Sequence, residues 1–385
     1  MLITLTGATG FLGSHVLARL LRDPAVEVVA LGRDPDDVAA HRLKTAVAAT
    51  GCAVPEDFDS RVRPLRITLE DEHLGLSHPQ YAALARRTDV LWHLAGCIEL
   101  DAPADRLRRV NVEGTRNILK LAASNARTRF LHTSTAYVAG ARTGVCVPED
   151  ELGEEEFLTP YEESKFHAER LVHRYAAETG RPTAVLRPSV LVSDRPLAAK
   201  GPRHTLAAVG AGLGQLRTYL TDSAAHSADE TTPARPPLSL RLSGDPEAEV
   251  NLLQVEYASE AMVHIACSRP QKQVGKAHTF HVVHPRGTRV GAVVQAVEHH
   301  LPGIRLSMTG ERFQPTALES LLLRASQGTH AYTGLQRTYE RAAFEAATGH
   351  LSAPAPLTDT YLRAALAPPP DPAHPCPPRP LLERS

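Results

Sequence analysis

The stretch Met1 to Arg22 constrains this chain most. Leu2 to Leu5 is a short apolar run that ends in Thr6, and Gly7-Ala8-Thr9-Gly10-Phe11-Leu12-Gly13 follows at once. Val16, Leu17, Leu20 and Leu21 then recur at helical spacing. This reads as strand, glycine turn, helix. In the spacing G-x-x-G-x-x-G, Gly7 permits a tight turn and Gly10 lets backbone N–H groups approach a pyrophosphate. Gly13 lets the helix pack on the strand. The helix N-terminus then offers unpaired N–H groups and the positive end of its dipole to the anion.

The rest of the chain alternates strand and helix, which predicts a parallel sheet with crossover helices. Strands are expected at Glu27 to Leu31, Val62 to Thr68, Asp89 to Ala95, Thr128 to Thr133 and Thr183 to Leu186, with returning strands at Val250 to Val255 and Thr279 to Val283. Helices are expected from Asp36 to Ala49, Pro103 to Ala126, Leu206 to Leu220 and Val290 to Leu301. The fold class is therefore α/β, a doubly wound Rossmann sheet with a smaller, mostly carboxyl-terminal substrate part. The expected division is 1–194 for the nucleotide domain, 195–249 and 285–366 for the substrate part, and a proline-rich tail over 367–385. Glu149 to Glu156 reads as a solvated acidic loop.

In a chain of 385 residues the formal net charge is only −1, so no general pull towards nucleic acid or an anionic membrane is expected. Cys52, Cys97, Cys146, Cys267 and Cys376 are scattered and odd in number. With no charged-then-apolar leader before Leu2 and no run long enough to span a bilayer, they predict a cytoplasmic protein. The histidines lack metal spacing, and His93 reads as a core residue.

Chemistry concentrates at a few places. The residue after the second strand should lie beside a cofactor ribose, where arginine favours a 2′-phosphate and an acid favours a free hydroxyl. Arg33 and Arg42 argue for the phosphate, and Asp34 argues mildly against it. Ser134-Thr135 puts hydroxyls at the carboxyl end of a strand, where such sheets bind ligands. Tyr161 and Lys165 are four apart on a helix and share one face, in a chain where no other tyrosine has lysine at that spacing. A nearby ammonium would lower the tyrosine pKa and make Tyr161 an acid or base near neutrality. Asn111, within a helical pattern, needs partners for its amide.

Together TGATGFLG, HLAG at His93 to Gly96, NVEGT, STAYV at Ser134 to Val138, YEESK and LRPSV resemble an extended short-chain dehydrogenase/reductase. The phrases LGRD followed by HRL, FLHTSTAYVAG, YEESKFHAERLV and NLLQVEYASEAM are most similar to the thioester reductase and fatty acyl-CoA reductase branch. That resemblance implies NADPH as cofactor. Gly7, Thr9, Gly10, Phe11 and Leu12 would hold its pyrophosphate, and Arg33 and Arg42 its 2′-phosphate. Ala95, Pro188 and Val190 would line it further along. Thr135 would bond the substrate carbonyl, Tyr161 would donate the proton, and Lys165 would bind the nicotinamide ribose. The branch usually has Gly-Asp-Leu after its third strand, where Ile67-Thr68-Leu69 stands here. Sugar-nucleotide relatives usually carry tyrosine where Ala139 precedes Gly140.

The implied reaction is reduction of an acyl thioester to an aldehyde or alcohol. With no carrier or adenylation domain in this sequence, the acyl group is expected on CoA or on a separate acyl carrier protein. Arg195, Lys200 and Arg203 form a basic cluster that could meet its phosphates. The alternatives are reduction or oxidation of a free aldehyde, ketone or alcohol, a sugar-nucleotide epimerase or dehydratase, and a non-catalytic NADP sensor.

Overall fold

The computed structural model describes residues 1–100, 102–153, 156–196, 201–225, 238–268, 275–326 and 328–367. Lys200 and the tail beyond Ala367 lie outside them.

A parallel sheet of seven strands runs through the molecule in the order β7-β6-β5-β4-β1-β2-β3. The strands are β1 (Leu2–Thr6), β2 (Glu27–Gly32), β3 (Val62–Arg66), β4 (Val90–His93), β5 (Arg129–Thr133), β6 (Thr183–Pro188) and β7 (His278–Val282). Side chains alternate between two buried faces, as a parallel sheet covered on both sides requires. Val28, Ala30, Trp92, Leu131 and Leu186 enter one core with α1 (Phe11–Leu20). Val29, Leu31, Leu91, Phe130 and Val185 enter the other with α3 (Gly114–Ala123) and α4 (Pro160–Thr179). Helix α2 (Asp36–Ala49) has the bounds read from the sequence.

Three expectations are corrected. The helix expected from Pro103 to Ala126 is interrupted by a wide π-type turn over Arg108–Glu113. The strand expected at Val250 to Val255 is a short ribbon, Leu252–Gln254, paired with Val190–Val192 outside the main sheet. Its last residue instead opens α6 (Val255–Cys267), which packs in the same core as α1. Finally, Glu149 is not solvated. It is 4% exposed, and its carboxylate accepts N–H bonds from His281, Ala343 and Phe344.

The carboxyl-terminal part has its own core, where Leu206, Leu213, Leu240, Leu252, Ile304 and Leu362 meet. It is built from α5 (Thr205–Ala225), α7 (Val290–His299) and two-stranded ribbons, one of them pairing Leu238–Ser243 with Ile304–Thr309. Among the described residues no helix is long and apolar enough to cross a membrane.

Candidate active site

One cleft of about 1580 Å³ follows the carboxyl ends of the strands. It begins at the glycine turn. Gly7 has φ +75°, and its carbonyl accepts the N–H of Gly10 at 3.0 Å. A Cβ at Gly7 would meet Ala95 N at 2.8 Å, and one at Gly13 would strike the Gly7 carbonyl. The cap position of α1, Gly10, offers no side chain, so the N–H groups of the first helical turn are left for an anion. Thr9, Phe11 and Leu12 line the cleft beside it. This cradle, which any side chain would fill, fits a dinucleotide pyrophosphate.

At one end Arg33, Asp34 and Arg42 line the cleft. Arg42 is held by Asp34 at 2.6 Å, whereas Arg33 is exposed and makes no ion pair among the described residues. Ile67, Leu69 and Glu70, which follow β3, line the cleft too. Ala95, Pro188 and Val190 line the cleft as well, on the other side of β1.

At the far end Thr135, Tyr161 and Lys165 come together. Thr135 lies just past β5, is 5% exposed, and accepts the N–H of Tyr137 at 3.3 Å. Tyr161 sits in the first turn of α4, which starts there because Thr159 caps the N–H of Glu162 and Pro160 takes the first helical position. Its ring packs against Cys97, Ala102 and Leu107. Burial pushes the Tyr161 phenol up to about 12, and a hydrogen bond with Thr135 opposes the shift. This corrects the expectation of a depressed pKa. The Lys165 ammonium is turned to the Thr133 carbonyl at 2.8 Å, and desolvation of the phenol prevails. Burial pushes Lys165 itself down to about 8, against the opposing charge of Glu169.

Polar groups behind the trio hold it in place. Asn111 in the π-type turn accepts the Cys97 N–H at 2.8 Å and donates to the Cys97 carbonyl and to Ser164 on α4. His93 is a satisfied core histidine between Thr6 at 2.8 Å and Thr115 at 3.2 Å. Burial, with Lys165 nearby, pushes its pKa down to about 3. Among the described residues no group of three or more His, Cys, Asp and Glu could hold a metal.

Several cleft residues had no sequence signal. Tyr332, from the carboxyl-terminal part, lies with its ring centroid 4.5 Å from that of Tyr137 and its hydroxyl 3.3 Å from Thr159. Of the basic cluster, Lys200 lies outside the described residues. Arg203 lines the cleft, but Arg195 donates to the Thr50 carbonyl and lies 3.4 Å from Glu256.

A seven-stranded parallel sheet with a glycine cradle at one end of the cleft, and Thr135, Tyr161 and Lys165 at the other, defines an extended short-chain dehydrogenase/reductase fold. The chain belongs to the Male sterility protein family of NAD-binding domains, whose profile matches residues 5–262. It is 37% identical over 204 residues to the nonribosomal peptide synthetase asaC of Aspergillus flavus, covering 50% of this chain and 20% of that protein. It is 29% identical over 297 residues to the aldehyde reductase lnaA of Aspergillus flavus, covering 74% of this chain and 26% of that protein. The chain thus spans about a fifth to a quarter of the length of these relatives. The terminal R domain from the myxalamid PKS-NRPS biosynthetic pathway shares the fold, with a TM-score of 0.72 at 22% identity over 95% of this chain and 89% of that one.

Proposed function

We propose that the protein is an NADPH-dependent reductase that converts an acyl thioester, on CoA or on an acyl carrier protein, to an aldehyde or alcohol. What carries this is the convergence of Thr135, Tyr161 and Lys165 at the end of a cleft that starts at a pyrophosphate cradle. The segments of multidomain synthetases that the chain resembles support a carrier-bound substrate.

When bound, NADPH supplies a hydride to the carbonyl carbon and leaves as NADP⁺. Tyr161, whose pKa of about 12 keeps it protonated at neutral pH, gives its proton to the carbonyl oxygen. The Thr135 hydroxyl donates a hydrogen bond to the same oxygen as its charge grows. Lys165 would hold the nicotinamide ribose. The hemithioacetal then loses its thiol. The sum is thioester + NADPH + H⁺ giving aldehyde + thiol + NADP⁺, and a second hydride transfer gives the alcohol. A second reading, reduction of a free aldehyde, is favoured by the named aldehyde reductase among the relatives. Anaerobic incubation with NADPH and a panel of acyl-CoAs, carrier-bound acyl groups, aldehydes and ketones separates them. Thiol release with NADPH oxidation is expected, and consumption of aldehydes alone would select the second reading.

Two binding results follow. Arg33→Ala is expected to weaken NADPH binding roughly tenfold to a hundredfold and to spare NADH, because a charge-assisted bond to the 2′-phosphate is lost. An unchanged NADPH/NADH ratio in fluorescence titrations would reject the assignment. For Lys165, the ammonium discharges as pH rises through about 8, so NADPH binding is expected to weaken above that pH. Lys165→Met should bind less tightly with a flat profile across the same range. A variant profile parallel to that of the wild type would show that another group titrates.

A further inference from the structure

The first turn of α4 carries Tyr161, and its own bonds hold it loosely. Thr159 accepts the Glu162 N–H at 3.4 Å, and the Glu163 N–H reaches the Thr159 carbonyl at 3.4 Å. Both are longer than the usual N–H to oxygen bond. Glu162, in the same turn, is fully buried. Its Oε2 accepts the Leu158 N–H at 2.8 Å, while Oε1 is buried without a hydrogen-bond partner. Outside support comes from the carboxyl-terminal part. The Tyr332 hydroxyl lies 3.3 Å from the Thr159 hydroxyl, 173 residues away along the chain. It also opposes the upward push that burial gives the Glu162 carboxyl. The Tyr332 ring packs on Tyr137, tilted by 58°, two residues past Thr135. One buried side chain therefore touches both the segment that carries Thr135 and the helix that carries Tyr161. The residues after it fix it to the nucleotide half. Gln336 exchanges backbone bonds with Thr143 and Gly144. Arg337 donates to the Gly140 carbonyl and sets its guanidinium 5.1 Å from the centre of the Tyr137 ring. The strand Arg337–Tyr339 pairs in parallel with Val145–Val147.

We propose that Tyr332 is a positioning residue for the proton donor: it pins the first turn of α4 to the segment that follows β5, and so sets the Tyr161 hydroxyl against Thr135 and the carbonyl to be reduced. The proposal rests on the reductase reading, in which Tyr161 is the acid. A general acid works only within hydrogen-bond reach of its target, and a misplacement of about 1 Å can cost about a hundredfold in rate. A helix end is where such drift starts, because its first N–H groups have no partners within the helix. The two contacts of Tyr332 act together there. Its ring fixes the spacing from the Thr135 segment, and its hydroxyl holds the cap of the turn. Tyr332 lines the cleft beside Thr135, Tyr137 and Tyr161, yet its hydroxyl is already engaged by Thr159. Burial and the Glu162 charge push its phenol far up, so it keeps its proton for Thr159 or the Glu162 carboxylate and is not a second acid.

The test is Tyr332→Phe, which keeps the ring on Tyr137 and removes the hydroxyl. With whichever carbonyl the wild type reduces, thioester or aldehyde, kcat is expected to fall roughly threefold to tenfold, the worth of one neutral hydrogen bond. KM, the NADPH dissociation constant and the circular dichroism spectrum should stay as they are. Thr159→Ser, which keeps the hydroxyl, should turn over like the wild type, and Thr159→Val should lose at least as much as Tyr332→Phe. In the Thr159→Val background Tyr332→Phe should cost little more, because residues that act through one contact are not additive. An unchanged kcat in Tyr332→Phe, a raised KM with kcat intact, or independent losses in the double variant would overturn the positioning role and leave the proposed reaction in place. A wild type that oxidises NADPH with no thioester or aldehyde would remove the reductase reading, and this proposal with it.

Discussion

Tyr161→Phe is expected to lower kcat by about 10² to 10⁴, the usual worth of a positioned general acid, with fold and nucleotide binding retained. The substitution removes one oxygen and keeps the ring that packs on Cys97, Ala102 and Leu107. It also removes the hydrogen bond with Thr135. With the phenol pushed up to about 12 by burial, Tyr161 carries its proton throughout the neutral range and, in the proposed reaction, would serve as an acid towards the carbonyl oxygen. No loss of rate from its ionisation is expected near neutral pH. Thr135→Ala should be intermediate, because the donor to the oxygen is lost while the acid remains. The checks are steady-state kinetics, circular dichroism and NADPH fluorescence titration on each variant. A folded Tyr161→Phe protein that binds NADPH and turns over at near-normal kcat would move the acid to another group, with the fold assignment untouched.

The nucleotide half was legible because its signals are local. Short, mostly apolar runs that end in Thr6 and Gly32 mark the carboxyl ends of β1 and β2, and Asp36 to Ala49 needs only its own periodicity. What was not legible depends on distant partners. Glu149 sits in an acidic run, yet residues from β7 and from the helix Ala342–Thr348 bury it. The i, i+4 spacing of Tyr161 and Lys165 puts them on one face but does not say where the ammonium turns, and the Thr133 carbonyl takes it. The apolar run through Val255 suits a strand and a buried helix equally, and α6 prevails by packing on α1. The π-type turn at Arg108–Glu113 leaves no signal in periodicity. It is stabilised by what Asn111 reaches, the Cys97 backbone and Ser164.

Arg187→Leu is expected to destabilise the protein by about 3–5 kcal/mol, the usual loss when one partner of a buried pair is removed. Glu169 is fully buried on α4, and Arg187, 1% exposed on β6, donates to it at 2.6 Å. Burial alone would push the Glu169 carboxyl up. The Arg187 charge and hydrogen bonds from His173 and Arg187 more than reverse that and leave it well below the usual carboxylate range. A carboxyl depressed in the folded state stabilises the fold above its unfolded pKa and stops doing so as pH falls through the folded one. Without the guanidinium the order reverses, and the carboxylate becomes the form that burial disfavours. Arg187→Leu should therefore be least damaged in mild acid, where Glu169 takes up a proton, and most damaged at neutral pH and above. The double variant Glu169→Leu/Arg187→Leu should recover part of the loss, since it removes both members of the pair, while Lys165 loses the opposing charge of Glu169. Urea denaturation of the three variants across pH checks both points. A double variant as unstable as the sum of its parts, or a single variant with no pH trend, would mean that the pair does not hold α4 to β6. If it does hold them, the single substitution should also reach the site. Glu169 lies one helical turn beyond Lys165 and supports its charge, while Arg187 directly precedes Pro188 in the wall of the cleft. Activity in Arg187→Leu is then expected to fall at temperatures where the protein is still folded.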